Sequence, residues 1–189
     1  MTPAVSSAFD AVPRAPFLPG PMRRYSGADH PLPLSQGQTN SQPSTVAAML
    51  ELLDVHPGQR VLDVGAGSGW TTALLAHLVG PDGFVLGVER IANLALGARA
   101  ALEETGPWPQ ARIQVATPGV LGAPTEAPFD RILVSAEARH IPQALVRQLA
   151  QPGVMVVPVD GVMTRVERRD GDTHVTHHGL YVFVPLIEE

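Results

Sequence analysis

The sequence predicts an α/β domain with a doubly wound, mainly parallel sheet that ends in an antiparallel hairpin. Three observations predict it. Residues 60–69 read RVLDVGAGSG, where Val61, Leu62 and Val64 form the short apolar run of a buried parallel strand. That run enters Gly65, Gly67 and Gly69, and the helical pattern TTALLAHLV follows at once. Apolar runs then alternate with helical patterns along most of the chain, which is the order of a parallel sheet. Near the C-terminus two strand-like runs flank Asp170-Gly171-Asp172, a hairpin signal that makes one end of the sheet antiparallel.

Strand, glycine turn and helix open a nucleotide-binding unit. Glycines permit the tight turn and let a ligand lie against bare backbone near a helix N-terminus. Twenty residues past Gly69, at the end of the run FVLGV, sits Glu89, placed to accept hydrogen bonds from ribose hydroxyls. The bland alternative is a sharp turn that holds nothing. Three features oppose it. Asp63 lies inside the strand end, where an unpaired carboxylate is costly. The glycines alternate as GxGxG, and the acid falls on a second strand. The combination resembles the signature of S-adenosylmethionine-dependent methyltransferases of the Rossmann-like class. A nicotinamide dinucleotide is the weaker competitor, because the third glycine comes one residue early for its fingerprint.

The 189 residues suffice for one α/β domain with a real core. Hydrophobic residues make up 44% and charged residues 16%, the balance of an ordinary globular chain. Net charge is −5 and no basic cluster exceeds a pair, so no nucleic-acid partner is expected. The absence of cysteine excludes disulfides, thiolate catalysis and cysteine-bound zinc. No apolar run is long enough to span a membrane, and no secretion signal is visible, so a cytoplasmic monomer with no membrane partner is expected.

In chain order, residues 1–33 read as a partly ordered arm ahead of a domain over 34–189. The prolines of AVPRAPFLP disfavour a long helix, the first several residues are expected to be disordered, and Phe9, Phe17, Leu18 and Tyr25 are candidate anchors. The polar stretch LSQGQTNSQP precedes a helix capped by Ser41 or Gln42, with Pro43 in its first turn. That helix carries Val46, Met49, Leu50 and Leu53 on one stripe and ends near Asp54. Strand 60–64, helix 71–79, strand 84–88, helix 91–104 and strand 112–116 follow. After a loop over 117–128 come strand 130–134, a helix from Pro142 through Leu149, and a stop at Gln151-Pro152-Gly153. Strand 154–159 and the hairpin strands 164–169 and 174–184 complete the chain.

The order of motifs resembles the protein-L-isoaspartate O-methyltransferase family from about Phe9 to Leu186. The pieces are PLPLSQGQTNSQP, RVLDVGAGSGW, GVER and EAPFDRILVSAEARHIPQALVRQLAQPGVMVVPV. GQTNSQP is the most specific, matching a GQTxSxP segment. The resemblance implies that Ser41 is the catalytic residue and that Gln38, Thr39 and Asn40 line the cleft beside it. It assigns Asp63, Gly65, Gly67, Gly69 and Glu89 to the cofactor, S-adenosylmethionine, and places Pro118 and Gly119 at its adenine. It implies methylation of the free carboxylate of isoaspartyl residues in damaged proteins or peptides. The ester then collapses to a succinimide that can reopen to normal aspartate. A carboxylate is ionised near neutral pH and needs no general base.

Some residues depart from the family pattern. A GDG segment falls on Thr117-Pro118-Gly119, and Pro118 offers neither a carboxylate nor an N–H. A histidine after the family's proline is absent from QPSTVA, and the C-terminal VPL runs into Ile187-Glu188-Glu189 without a threonine. Two other readings follow: a methyltransferase of this fold acting on another carboxylate, or a binding protein that lost catalysis. Retained Ser41, Asp63, Glu89 and the glycines oppose the last. His174, His177 and His178 read as exposed strand histidines, and no metal site is expected. Trp70 is expected in the core, and His140 either touches substrate or is a plain loop residue.

Overall fold

The fold was obtained as a computed structural model, which describes residues 1–187. Glu188 and Glu189, at the end of the expected domain, lie outside the described residues. A short ladder pairs β1 (Leu32–Pro33) with β2 (Thr39–Asn40). Among the described residues the main sheet has seven strands: β3 (Arg60–Val64), β4 (Phe84–Glu89), β5 (Ala111–Val115), β6 (Phe129–Val134), β7 (Leu149–Val159), β8 (Val162–Arg169) and β9 (Asp172–Leu180). Their order is β5-β4-β3-β6-β7-β8-β9. The first five neighbours pair in parallel, and β8 and β9 form the antiparallel hairpin. This is the Rossmann-like α/β sheet that the sequence predicts.

The helices are α1 (Pro3–Ala11), α2 (Pro43–Leu53), α3 (Trp70–Val79), α4 (Ala92–Thr105) and the single turn α5 (Gln143–Val146). Alternation along β3 sends Val61 and Asp63 to one face and Leu62 and Val64 to the other. Val61 joins a core built with α1 to α4. Leu62 and Val64 join a second core with Phe129, Leu145 and Leu149. Helix α3 is buried on nearly every side, since only His77 of its ten residues escapes full burial. An apolar helix of this kind needs cover on the side away from the sheet, and α1 supplies it.

The arm therefore differs from expectation. Residues 3–11 are helical, with Thr2 as N-cap and Pro3 in the first turn, where a missing N–H costs nothing. Val5, Ala8, Val12 and Phe17 enter the main core, and Phe9 meets Trp70 edge to face at 5.4 Å. Leu18 is buried, whereas Tyr25, expected to be an anchor, is 42% exposed. Trp70 lies in the core, and its indole N–H donates to the Val12 carbonyl at 3.1 Å.

Two further corrections concern the second half. The helix expected from Pro142 to Leu149 stops at Val146, because Leu149 already pairs with Phe129 of β6. Gln151-Pro152-Gly153 is then an irregular bend inside β7, not a stop before it. Gly153 is needed there, since a Cβ would lie 2.6 Å from the Ala150 carbonyl oxygen. The last strand ends at Leu180, where Gly179 takes φ +79°, and residues 181–187 run on to Glu137, just beyond the carboxyl end of β6. Glu137 receives that segment, donating to the Val184 carbonyl at 2.8 Å and accepting from the Leu186 N–H at 2.7 Å.

The junction of β3 and α3 positions everything above it. Asp63 is fully buried, and its Oδ2 accepts from the hydroxyls of Thr71 and Thr72, each at 2.7 Å. Its Oδ1 has no partner among the described residues. Gly87 sits opposite on β4, where a Cβ would come within 2.8 Å of the Thr72 hydroxyl. Burial pushes the Asp63 carboxyl up from 3.8 to about 6, against the pull of the two threonine hydroxyls. The folded chain thus holds this proton over a window where the unfolded chain has lost it. The stabilisation from this group is full below the unfolded value and is lost as pH rises through about 6. Urea unfolding from pH 4 to pH 7 should show the unmutated chain gaining on Asp63→Asn as pH falls, by on the order of 3 kcal/mol. A difference that does not vary with pH would place Asp63 at its ordinary value.

Candidate functional site

A cleft opens beyond the carboxyl ends of β3, β4, β5 and β6. Strand order reverses between β3 and β6, which is where a crevice forms in an open parallel sheet. The floor is the turn from Gly65 to Ser68. One wall is the segment from Gln38 to Ser41. Glu89 and Arg90 close one end, residues 116–122 flank it, and Ser135, Ala136 and residues 184–187 complete the lining.

The glycines divide by task. Gly65 (φ +77°) and Gly67 (φ +54°) lie in the cleft and keep its floor free of side chains. Gly65 also lies over the backbone of Ser135, to which a Cβ would come within 3.8 Å. Gly69 (φ +88°) lies outside the lining and caps α3. A Cβ there would meet Ile113 at 3.0 Å and Ala98 at 3.1 Å, so Gly69 allows α4 and β5 to close on the turn. Asp63 is likewise behind the loop and not in the cleft lining. Both residues, expected among the cofactor contacts, shape the loop from below.

Glu89 lines the cleft while only 6% exposed. Its Oε2 accepts from the Gly67 N–H at 2.9 Å and its Oε1 from the Ile91 N–H at 2.8 Å. Each carboxylate oxygen can take two hydrogen bonds, so acceptor capacity remains for two ligand hydroxyls. The Val88 carbonyl pins the loop from the same strand, accepting from Gly65 at 2.9 Å and Ala66 at 3.1 Å.

Gln38, Thr39, Asn40 and Ser41 face the loop across the cleft. Ser41 lies just before the N-cap of α2, which is Gln42. The free N-terminal turn of α2 is partly spent, because the Ser44 N–H donates to Asp29 at 2.9 Å. That bond, with one from the Gln42 amide, holds the Asp29 carboxyl below its usual range. Asn40 is buried, and its amide nitrogen donates to the Ser68 hydroxyl at 2.9 Å, joining this wall to the glycine turn.

Arg14, Ser68, Ser135, Ala136 and the 184–187 segment were not read from the sequence. For Arg14 the signal was a lone cation in the apolar stretch AVPRAPFLP. It is 5% exposed, and burial lowers its pKa against the pull of Asp29. Its guanidinium reaches Asn40 Oδ1 and the carbonyls of Ala28, His30, Asn40 and Ser41. No sequence pattern announces such a reach.

Pro118 and Gly119 lie exposed on the cleft rim, and residues 116–122 bring no carboxylate to it. His140 is exposed and outside the lining. His174, His177 and His178 spread along β9, where His177 meets Thr164 at 3.4 Å and His178 meets Thr176 at 2.7 Å. Among the described residues no three His, Asp or Glu side chains gather as a metal site, and no helix is long and apolar enough to cross a membrane.

Known proteins share this arrangement. The family model for protein-L-isoaspartate(D-aspartate) O-methyltransferase matches residues 1–189. A protein-L-isoaspartate O-methyltransferase of Methanopyrus kandleri is 46% identical, over 98% of this chain and 84% of its own length. One from Aeropyrum pernix is 45% identical, over 98% of this chain and 73% of its own. A Plasmodium falciparum structure assigned to the same activity, in complex with S-adenosyl-L-homocysteine, superposes with a TM-score of 0.87 at 25% identity. It covers 100% of this chain and 92% of its own. Fold, loop and whole-length similarity agree, and the chain belongs to the protein-L-isoaspartate(D-aspartate) O-methyltransferase family.

Proposed function

We propose that this chain transfers a methyl group from S-adenosylmethionine to the free carboxylate of isoaspartyl residues in damaged proteins or peptides. The observation that carries it is a cleft with Ser41 on one wall, the Gly65–Gly67 turn as floor and Glu89 at one end, in a chain that matches relatives of that name over nearly its own whole length. The residues present fit the methyl donor. Gly65 and Gly67 leave room for close approach, Glu89 has acceptor capacity for ribose hydroxyls, and Pro118 to Leu121 offer a rim without charge for the base.

When bound, S-adenosylmethionine supplies a methyl group already activated on a sulfonium sulfur. The acceptor carboxylate is ionised near neutral pH, so the chain has no proton to remove. An oxygen–methyl bond forms, the methyl–sulfur bond breaks, and its electron pair stays on sulfur, giving a methyl ester and S-adenosylhomocysteine. The protein's share is alignment and exclusion of water. Ser41 donates its hydroxyl to the acceptor carboxylate and orients the attacking oxygen. Gln38, Thr39 and Asn40 form the wall beside it. Glu89 holds both the ribose and the Gly67 turn, so loop order and donor binding rise together.

Four outcomes follow. With an isoaspartyl peptide and its normal aspartyl twin at equal concentration, labelled donor should mark only the first. Ser41→Ala should slow that transfer by roughly tenfold to a thousandfold while changing donor binding much less. Equal labelling of both peptides, or of neither while the donor binds, would redirect the assignment to another carboxylate. In calorimetry, Glu89→Ala should weaken donor binding by on the order of 1–3 kcal/mol, since a charged acceptor and a loop clamp are lost together. Pro118→Asp should tighten it by restoring a carboxylate at the base. An unchanged affinity for this variant would mean that another group already holds the base.

A further inference from the structure

Arg14 does not line the cleft, yet three of its five hydrogen bonds reach the wall that carries Ser41, and the other two tie that wall to residues 28 and 30. Its Nη2 donates to the Ser41 carbonyl at 2.9 Å, the Asn40 carbonyl at 3.0 Å and the His30 carbonyl at 3.1 Å. Its Nε donates to Asn40 Oδ1 at 2.6 Å, and its Nη1 to the Ala28 carbonyl at 3.0 Å. The guanidinium also lies over the Trp70 ring, 5.4 Å from its centroid. Trp70 opens α3 directly after the glycine turn, and Asn40 donates onward to Ser68 of that turn.

One cation thus ties the Ser41 wall and the donor-binding turn into a single frame. The wall's other ties are few: Asn40 to Ser68, Asp29 to Gln42 and Ser44, the Leu34 N–H to the Gln38 carbonyl, and a short ladder. Its ladder consists of two residue pairs, Leu32 with Asn40 and Pro33 with Thr39. A planar fork with five donors can serve several carbonyls at fixed angles, whereas an ammonium has three donors on one freely rotating nitrogen.

We infer that Arg14 is a positioning residue for methyl transfer, acting through Ser41 by fixing the backbone of residues 40–41 against the Gly65–Ser68 turn. This rests on the reading of Ser41 as the group that orients the acceptor. The acceptor oxygen must meet the methyl group in line with sulfur, so a small displacement of Ser41 is expensive in rate.

The test is a double-mutant cycle on the full chain. Arg14→Lys keeps the charge and loses the fork. It should leave S-adenosylhomocysteine affinity within about threefold by calorimetry, while single-turnover transfer to an isoaspartyl peptide falls by about tenfold to a hundredfold. Adding Arg14→Lys to Ser41→Ala should slow transfer by less than about threefold beyond the slower single variant, because both changes remove one function. Effects that multiply would overturn the inference, as would unchanged transfer by Arg14→Lys. If Arg14→Lys does not fold, the same cycle with Asn40→Ala decides, since that change cuts the Nε bond and the link to Ser68 alone. Non-multiplying effects there support the inference, and multiplying effects overturn it. A Ser41→Ala variant as fast as the unmutated chain would instead remove the role given to Ser41, and Arg14's with it.

Discussion

The site depends on one buried carboxylate. Asp63 lies at the end of the central strand of the parallel sheet, where its neighbours on the same face are apolar. Burying an acid there is costly unless donors converge on it. Thr71 and Thr72, in the first turn of α3, supply them. The pair fixes where α3 begins relative to β3, and so fixes the path of the five residues between. Gly87 completes the arrangement by leaving room for the Thr72 hydroxyl. The glycine turn therefore does not hang free. It is braced from below by Asp63 through α3 and from the side by Glu89 and the Val88 carbonyl.

The second constraint runs outward from α3. A helix with apolar side chains on nearly every face cannot rest on the sheet alone. The N-terminal helix covers its far side, and Trp70 marks the contact by bonding to the end of α1. That docking brings the following residues, including Arg14, to the cleft wall. The arm is thus part of the site's construction. Its prolines do not prevent this, because Pro3 sits where a helix tolerates it and Pro13, Pro16 and Pro19 fall after the helix ends.

What could be read from the sequence follows from how local each cause is. The strand, turn and helix around Gly65 to Gly69 were legible because periodicity and glycine spacing act within ten residues. Strands β3 to β6 and the final hairpin were legible for the same reason. The cover on α3 was visible in principle, since TTALLAHLV is too apolar for a surface helix, but which segment covers it is a tertiary matter. The short α5 was misjudged because PQALVRQL has helical propensity, while pairing of Leu149 with Phe129 wins over it. Asp63 and Gly69 stand out in the sequence, and the structure sets both behind the turn, outside the cleft lining. A costly carboxylate and a third glycine both signal a special turn, and neither says on which side of it the ligand lies.

The charges divide between the two ends of the cleft in a way that suits transfer to an anion. Glu89 is the one acid among the described lining residues, and both of its oxygens are already engaged by backbone N–H groups. Those bonds spread its charge onto the turn. Behind the opposite wall lies Arg14, buried against Asn40 and Ser41 with its donors turned to carbonyls. Under the proposed reading a carboxylate at Ser41 meets a hydroxyl, while Asp29 behind it is already engaged by the Ser44 N–H and the Gln42 amide, and the exposed Arg90 lies at the Glu89 end of the cleft. Tight pairing with a full positive charge would stabilise the acceptor before reaction more than during it, because its charge disperses as the ester forms. On that reading, a cation held one layer back keeps the geometry it enforces and spares the acceptor that penalty.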